Sequence, residues 1–167
     1  MIDTVELYYY LPTCVHDYLL IQWWATCIQE DCLQDILDRE QHTPRAFLDY
    51  FATRPEFLYA QDDKGMWLAG WTNKFMDEAT FSLWIRKDKR RTKEALTYTL
   101  NIFLKLYDKY KVLVCATQND EKESLYKHIG FTAIGSIPFV WGGLSVHCLY
   151  MTKHDFDQKY IHVKEDY

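Results

Sequence analysis

The spacing of apolar residues changes period several times along this chain, and each change marks an element. Val5 to Leu11 is a short run of β-formers and tyrosines stopped by Pro12, which predicts an opening strand. From about His16 the spacing widens. Leu20, Trp24, Ile28, Cys32 and Ile36 recur every four residues with Leu19, Trp23 and Cys27 beside them, a broad stripe on a helix whose other face is acidic and amide-bearing. Thr43-Pro44 sets a capping hydroxyl before a proline in the first helical turn. It predicts a second helix, buried through Phe47, Leu48 and Phe51 and ended by Arg54-Pro55.

The middle of the chain shortens its period again. Phe57 to Gln61 and Met66 to Trp71 flank the polar loop Asp62-Asp63-Lys64-Gly65 as a hairpin, and Ala79 to Ile85 is a third strand of the same meander. Leu96, Leu100, Phe103 and Tyr107 then follow helical spacing. Lys111 to Thr117 is nearly all apolar, the pattern of a central strand buried on both faces. Asn119, Asp120 and Glu121 cap a short helix through Tyr126 and Ile129 that stops at Gly130. Phe131 to Ile137 and Leu144 to Met151 are a closing strand pair. The order β, α, α, β, β, β, α, β, α, β, β is α+β: a mixed, mostly antiparallel sheet of about seven strands, a parallel pair at its centre, and about four helices. A single domain over 1–153 is expected, with a polar tail over 154–167.

Composition narrows the function. The 167 residues suit one domain. Aromatics reach 17%, which predicts an aromatic core, and Gly is scarce at 6. A net charge of -5 speaks against coating nucleic acid, so no nucleic-acid partner is expected. No apolar run is long enough to span a membrane and no signal pattern opens the chain, so a cytoplasmic location is expected. The five cysteines lack C-x-x-C spacing and read as free thiols; Cys115, in the apolar strand, reads as a buried hydrophobe. The six histidines show no spacing that would build a metal site on one helix face, so no metal is expected. One local feature departs from the acidic background: six of the eight residues from Arg86 to Lys93 are basic and lie just ahead of a predicted helix start, where free backbone N–H groups favour anions.

From about Ala79 to Ile137 the chain resembles the GNAT-type N-acetyltransferases, whose element order it follows over nearly its whole length. Arg90-Arg91-Thr92-Lys93-Glu94-Ala95 stands where that family carries Q/R-x-x-G-x-G/A; the Arg and the final Ala fit, and Lys93 replaces the first glycine. Asn119, Tyr126 seven residues later and Gly130-Phe131 four beyond reproduce a second family spacing. The resemblance implies acetyl coenzyme A as cofactor, its phosphates held by Arg90, Arg91, Thr92, Lys93, Glu94 and Ala95 and its pantetheine arm by Asn119. The arm would lie along Leu83, Trp84 and Ile85, with a bulge at Leu83 or Trp84 turning an N–H toward the thioester carbonyl. Tyr126 would protonate the leaving sulfur, and the acceptor would be an amine on a small molecule or a protein. The general base stays unassigned: Thr80 to Ile85 holds no carboxylate, and Asp77 and Glu78 merely precede it. Oligomeric state stays open. An alternative keeps the fold and drops the chemistry. Tailed bacteriophages carry small divergent GNAT-like proteins with basic residues in place of glycines, and a virion-associated or host-interacting protein of that kind fits the same residues.

Overall fold

Seven strands form one sheet in the order β1-β2-β3-β4-β5-β7-β6. This computed structural model describes residues 2–9, 14–30, 43–52, 54, 56–75, 78–117, 120–141 and 144–161. The elements are β1 (Tyr8–Tyr9), α1 (Cys14–Gln29), α2 (Pro44–Ala52), β2 (Glu56–Asp62), β3 (Gly65–Phe75), β4 (Glu78–Ile85), α3 (Lys93–Tyr107), β5 (Val112–Thr117), α4 (Asp120–Ile129), β6 (Thr132–Trp141), β7 (Leu144–Thr152) and α5 (Lys153–Phe156). Antiparallel pairing joins every described neighbour except β4 and β5, which run parallel because α3 carries the chain across between them.

The two faces of the sheet are covered by different helices. On one, Ile102, Phe103 and Leu106 of α3 and Tyr126 and Ile129 of α4 pack on Leu68, Phe81, Leu83, Leu113, Cys115 and Leu149. On the other, Leu20, Trp23 and Cys27 of α1 and Phe47 and Phe51 of α2 cover Phe57, Tyr59, Ala69, Trp71 and Trp84. Trp23 is the hub of that second layer: its ring centroid lies 4.9 Å from those of Phe47 and Phe51, 5.4 Å from Trp84 and 5.6 Å from Trp71. Each such tilted or edge-on pair adds about 0.5–1.5 kcal/mol beyond area burial, which is where the aromatic excess goes.

Several expectations shift in detail. Of the expected opening strand, Tyr8–Tyr9 pairs in the sheet and Val5 to Leu7 does not, while Tyr10 and Leu11 lie outside the described residues; the Val5 N–H donates to Asn101 Oδ1 of α3, so a helix side chain takes the place of a strand partner. On α1 the buried line is Leu20, Trp23 and Cys27, while Ile28 is 49% exposed. The four-residue steps of the sequence pattern overshoot a 3.6-residue turn and rotate off the buried face. Cys32 and Ile36 lie outside the described residues. On β5 alternate residues Leu113, Cys115 and Thr117 are buried, but Val112, Val114 and Ala116 are only half covered. Two-sided burial fails there because α1 and α2 lie over β2 to β4.

The polar stretch after Lys153 is packed through Tyr160. Phe156 is fully buried, the Tyr160 hydroxyl donates to the Ile129 carbonyl at 2.6 Å, and Lys159 Nζ donates to the His128 carbonyl at 2.9 Å, closing the C-terminal end of α4.

Candidate ligand cleft between the two parallel strands

The cleft exists because one ladder stops. β4 and β5 pair at Ala79↔Leu113, Thr80↔Val114 and Phe81↔Cys115 and no further, although both strands continue. On its other edge β4 stays in unbroken register with β3 through Leu68↔Ile85, and the Arg86 N–H donates to the Trp67 carbonyl at 2.8 Å. Strand amides alternate sides, so the amides of Leu83 and Ile85 turn toward the gap and that of Trp84 turns toward β3. The bulge expected at Leu83 or Trp84 is therefore absent: a regular ladder presents the same N–H groups once the neighbouring strand has left.

The gap opens into a cavity of about 320 Å³ between the start of α3 and one face of α4. Leu83, Trp84, Ile85, Arg90, Arg91, Thr92, Lys93 and Ala95, all put forward from the sequence as cofactor-binding, line it. Glu94 does not, because its carboxylate is paired with Lys89 at 2.9 Å. Asn119 lies outside the described residues. Leu96 and Thr99 of α3 and Glu121, Lys122, Leu125 and His128 of α4 complete the wall. The α4 set was missed although 121, 125 and 128 fall on one helix face; nothing local says which neighbour that face meets.

The rim is built by local capping. Thr92 is the N-cap of α3: its Oγ1 accepts from the Ala95 N–H at 3.1 Å and donates to the Lys89 carbonyl at 2.7 Å. The preceding turn contains Arg91 at φ 61°, a left-handed conformation usually left to glycine. Arg90 Nε donates to the Ile85 carbonyl at 2.8 Å, and Arg91 Nη2 reaches Glu121 across the mouth at 2.9 Å.

The basic run is thus not one uniform patch. Arg86 is buried against two aspartates, Lys89 is matched by Glu94 and Lys87 is exposed away from the cavity, so Arg90, Arg91 and Lys93 are the run's contribution to the cavity wall.

Tyr126 sits apart from this wall. It is 2% exposed in the core, with its ring 5.4 Å from Phe131 and its hydroxyl hydrogen-bonded to the Cys115 thiol. Burial first, and the neighbouring thiol second, hold its proton well above the ordinary tyrosine range; burial does the same to Cys115. Asp77 lies outside the described residues, as does the side chain of Glu78, so no base is placed.

On the far side of α4, Asp120, Glu123 and His147 gather although far apart in sequence. The imidazole lies 3.8 Å from Glu123 and 4.0 Å from Asp120, its Nδ1 is 2.8 Å from Ser136 Oγ, and Glu123 is paired with Lys127 at 2.8 Å. The group ties the first turn of α4 to β6 and β7. No one-helix spacing could have revealed it, since the histidine comes from a strand. No helix among the described residues is long and apolar enough to cross a membrane.

The sequence matches no protein-family model and no curated protein. The three-dimensional shape does match solved structures. The chain is similar to a ribosomal-protein-alanine N-acetyltransferase from Brucella melitensis, with TM-score 0.67 and 14% identity over 89% of this chain and 99% of that one. It is similar to an aminoglycoside N(6')acetyltransferase from Legionella pneumophila, with TM-score 0.70 and 12% identity over 94% and 98%. It is also similar to yncA from Salmonella typhimurium, solved with its cofactor acetyl-CoA, with TM-score 0.63 and 12% identity over 89% and 94%. The chain has the GNAT-type acetyltransferase fold.

Proposed function

We propose that this protein binds acetyl coenzyme A in the cleft between β4 and β5 and transfers the acetyl group to an amine by direct attack. The observation that carries the reading is the end of the parallel ladder at Phe81↔Cys115, directly beside a capped helix start with Arg90, Arg91 and Lys93 at its rim. These residues suit the group. Three cations and the N-terminal end of α3 suit phosphates, and the apolar walls of Leu83, Leu96 and Leu125 suit the pantetheine arm. The outward amides of Leu83 and Ile85 offer main-chain partners along the gap, and Leu83 is the better placed to meet the thioester carbonyl.

The cofactor supplies an activated acetyl group on sulfur. The chain's part is to orient it, to give the carbonyl oxygen an N–H as charge develops there, worth about 3 kcal/mol, and to admit a neutral amine. At pH 7 a lysine-like amine is neutral at a cost of about 4.6 kcal/mol. With the group bound, the amine nitrogen would bond to the acetyl carbon as the carbon–sulfur bond breaks, the nitrogen shedding one proton to solvent and the sulfur taking one up. For Tyr126 to give that proton, its hydroxyl must exchange Cys115 for the departing sulfur. Asn119, beside the pantetheine arm, belongs to the same reading, as do an amine-bearing small molecule or protein as acceptor and a cytoplasmic site of action.

Calorimetric titration with acetyl-CoA tests this directly. One-to-one binding that Arg90→Glu with Arg91→Glu weakens at least ten-fold supports it; no heat and no thermal shift at millimolar acetyl-CoA overturns it, since a ligand at one hundred times its Kd stabilises by about 2.7 kcal/mol. A second reading, a fold retained for protein contact as in divergent phage members, is favoured by one observation: Arg91 is already matched by Glu121 across the mouth. Absence of acetyl-CoA binding selects it.

A further inference from the structure

The turn ahead of α3 lacks the glycines that would let a chain fold back on itself there, yet carboxylates from three places hold it. Arg86, its first residue, is 7% exposed and uses all three guanidinium nitrogens. Nη1 and Nη2 form a fork on Asp62, at the end of β2, with Nη1–Oδ1 at 3.0 Å. Nε and Nη2 form a second fork on Asp88, inside the turn, at 2.6 and 3.1 Å. Asp62 is anchored in its own loop by accepting from the Lys64 N–H at 2.9 Å. From the other side the Lys87 N–H donates to the Glu30 carboxylate at the end of α1 at 2.8 Å. The guanidinium holds both aspartates below the usual carboxylate range, and they in turn hold its proton more tightly.

We infer that Arg86 is the positioning residue of the anion-binding turn, fixing through two carboxylate forks a backbone path that glycines would otherwise make accessible. Asp62 grips it from the rigid hairpin, Asp88 carries the grip into the turn, and the chain beyond must then pass through the left-handed conformation at Arg91 to bring Thr92 onto the Ala95 N–H. A planar fork sets direction as well as distance, which a lysine ammonium cannot do. Arg86 does not line the cavity, so its effect reaches a ligand only through the turn. The inference rests on the proposed use of that turn for phosphates, and its test separates the two.

The experiment compares wild type, Arg86→Lys and Asp88→Asn in two measurements. Hydrogen exchange on the ligand-free protein reads positioning alone. In Arg86→Lys the amides of residues 87–92 are expected to exchange at least ten-fold faster while those of Ile102 and Phe103 hold; a uniform increase, or none, overturns the inference. Titration with coenzyme A and with phosphate-free pantetheine reads the consequence. Coenzyme A affinity is expected to fall about ten-fold with pantetheine affinity within two-fold of wild type, and equal loss of both, or of neither, overturns it. Asp88→Asn, which removes one fork, is expected to fall between the two proteins in both measurements, and it carries the test if Arg86→Lys does not fold. Wild type that binds neither compound defeats the proposed function, and the exchange measurement still decides whether Arg86 holds the turn.

Discussion

Phe81 and Cys115 are the last partners of the parallel ladder, and their side chains point into the same buried layer beneath α3 and α4. Before them the sheet is continuous. After them β4 keeps to β3 while β5 keeps to β7 through Ala116↔Cys148 and Thr117↔His147, so each strand has one committed edge and the gap between them lies open. The cleft needs no special residue at its apex; it follows from two ladders holding their strands on diverging courses.

Tyr126→Phe removes the hydroxyl that meets Cys115 in the core. A loss of about 1 kcal/mol in urea unfolding is expected, with coenzyme A affinity unchanged within two-fold. Turnover measured on the same variant separates its roles: a fall at constant affinity assigns the hydroxyl to the sulfur, and constant turnover leaves it with Cys115.

Arg91→Gly exchanges a left-handed non-glycine residue for the one suited to that conformation. The change is expected to gain about 0.5–1 kcal/mol, because the exposed Arg91–Glu121 pair contributes little to stability. Acetyl-CoA affinity is expected to fall as a rim cation is lost. Urea midpoints and calorimetry read both, and a less stable variant would mean that the side chain, not the backbone, holds the turn.

Gly70→Ala places a Cβ 3.0 Å from Ile102 Cδ1 and 3.1 Å from Phe81 Cε2, with Ile102 Cγ2 at 3.2 Å. Both side chains are 0–1% exposed and cannot move aside into solvent. The expected cost is about 1–3 kcal/mol by overpacking between β3 and α3, read by thermal or urea unfolding. Wild-type stability would show that α3 can slide on the sheet.

Acid sensitivity follows from Asp62 and Asp88. The Arg86 guanidinium lowers both carboxyls in the folded state, so the unfolded chain takes up protons first as pH falls. Their contribution is present in full above the ordinary aspartate value of about 3.9, and it is lost as pH drops from there toward the folded values. Urea midpoints between pH 3 and 7 should fall on the acid side, and Asp62→Asn should flatten that limb.

Much of the architecture was legible in the chain because it rests on local rules. The Thr43 Oγ1 does accept from Ala46 N–H, Gly65 does take a positive φ of 106° in its hairpin, Gly130 does end α4 at φ 127°, and the eleven-element order stands. The place of Arg90 to Lys93 at the start of α3 was legible for the same reason: a basic run ahead of a capped helix is a local statement.

What the sequence could not hold was partnership at a distance. It made Arg86 one more cation in a run, when Asp62, 24 residues earlier, takes it out of the rim; it gave no sign that the Tyr126 hydroxyl meets Cys115 in the core. It made β5 a strand covered twice, when α1 and α2 lie elsewhere. Periodicity and capping are set by residues a few positions apart, so the sequence by itself determined the elements, their order and the helix start that faces an anion. Which cations stay available, which polar atoms are consumed in the core and where two strands part depend on groups that meet only after the chain has folded, and tertiary structure alone decided those.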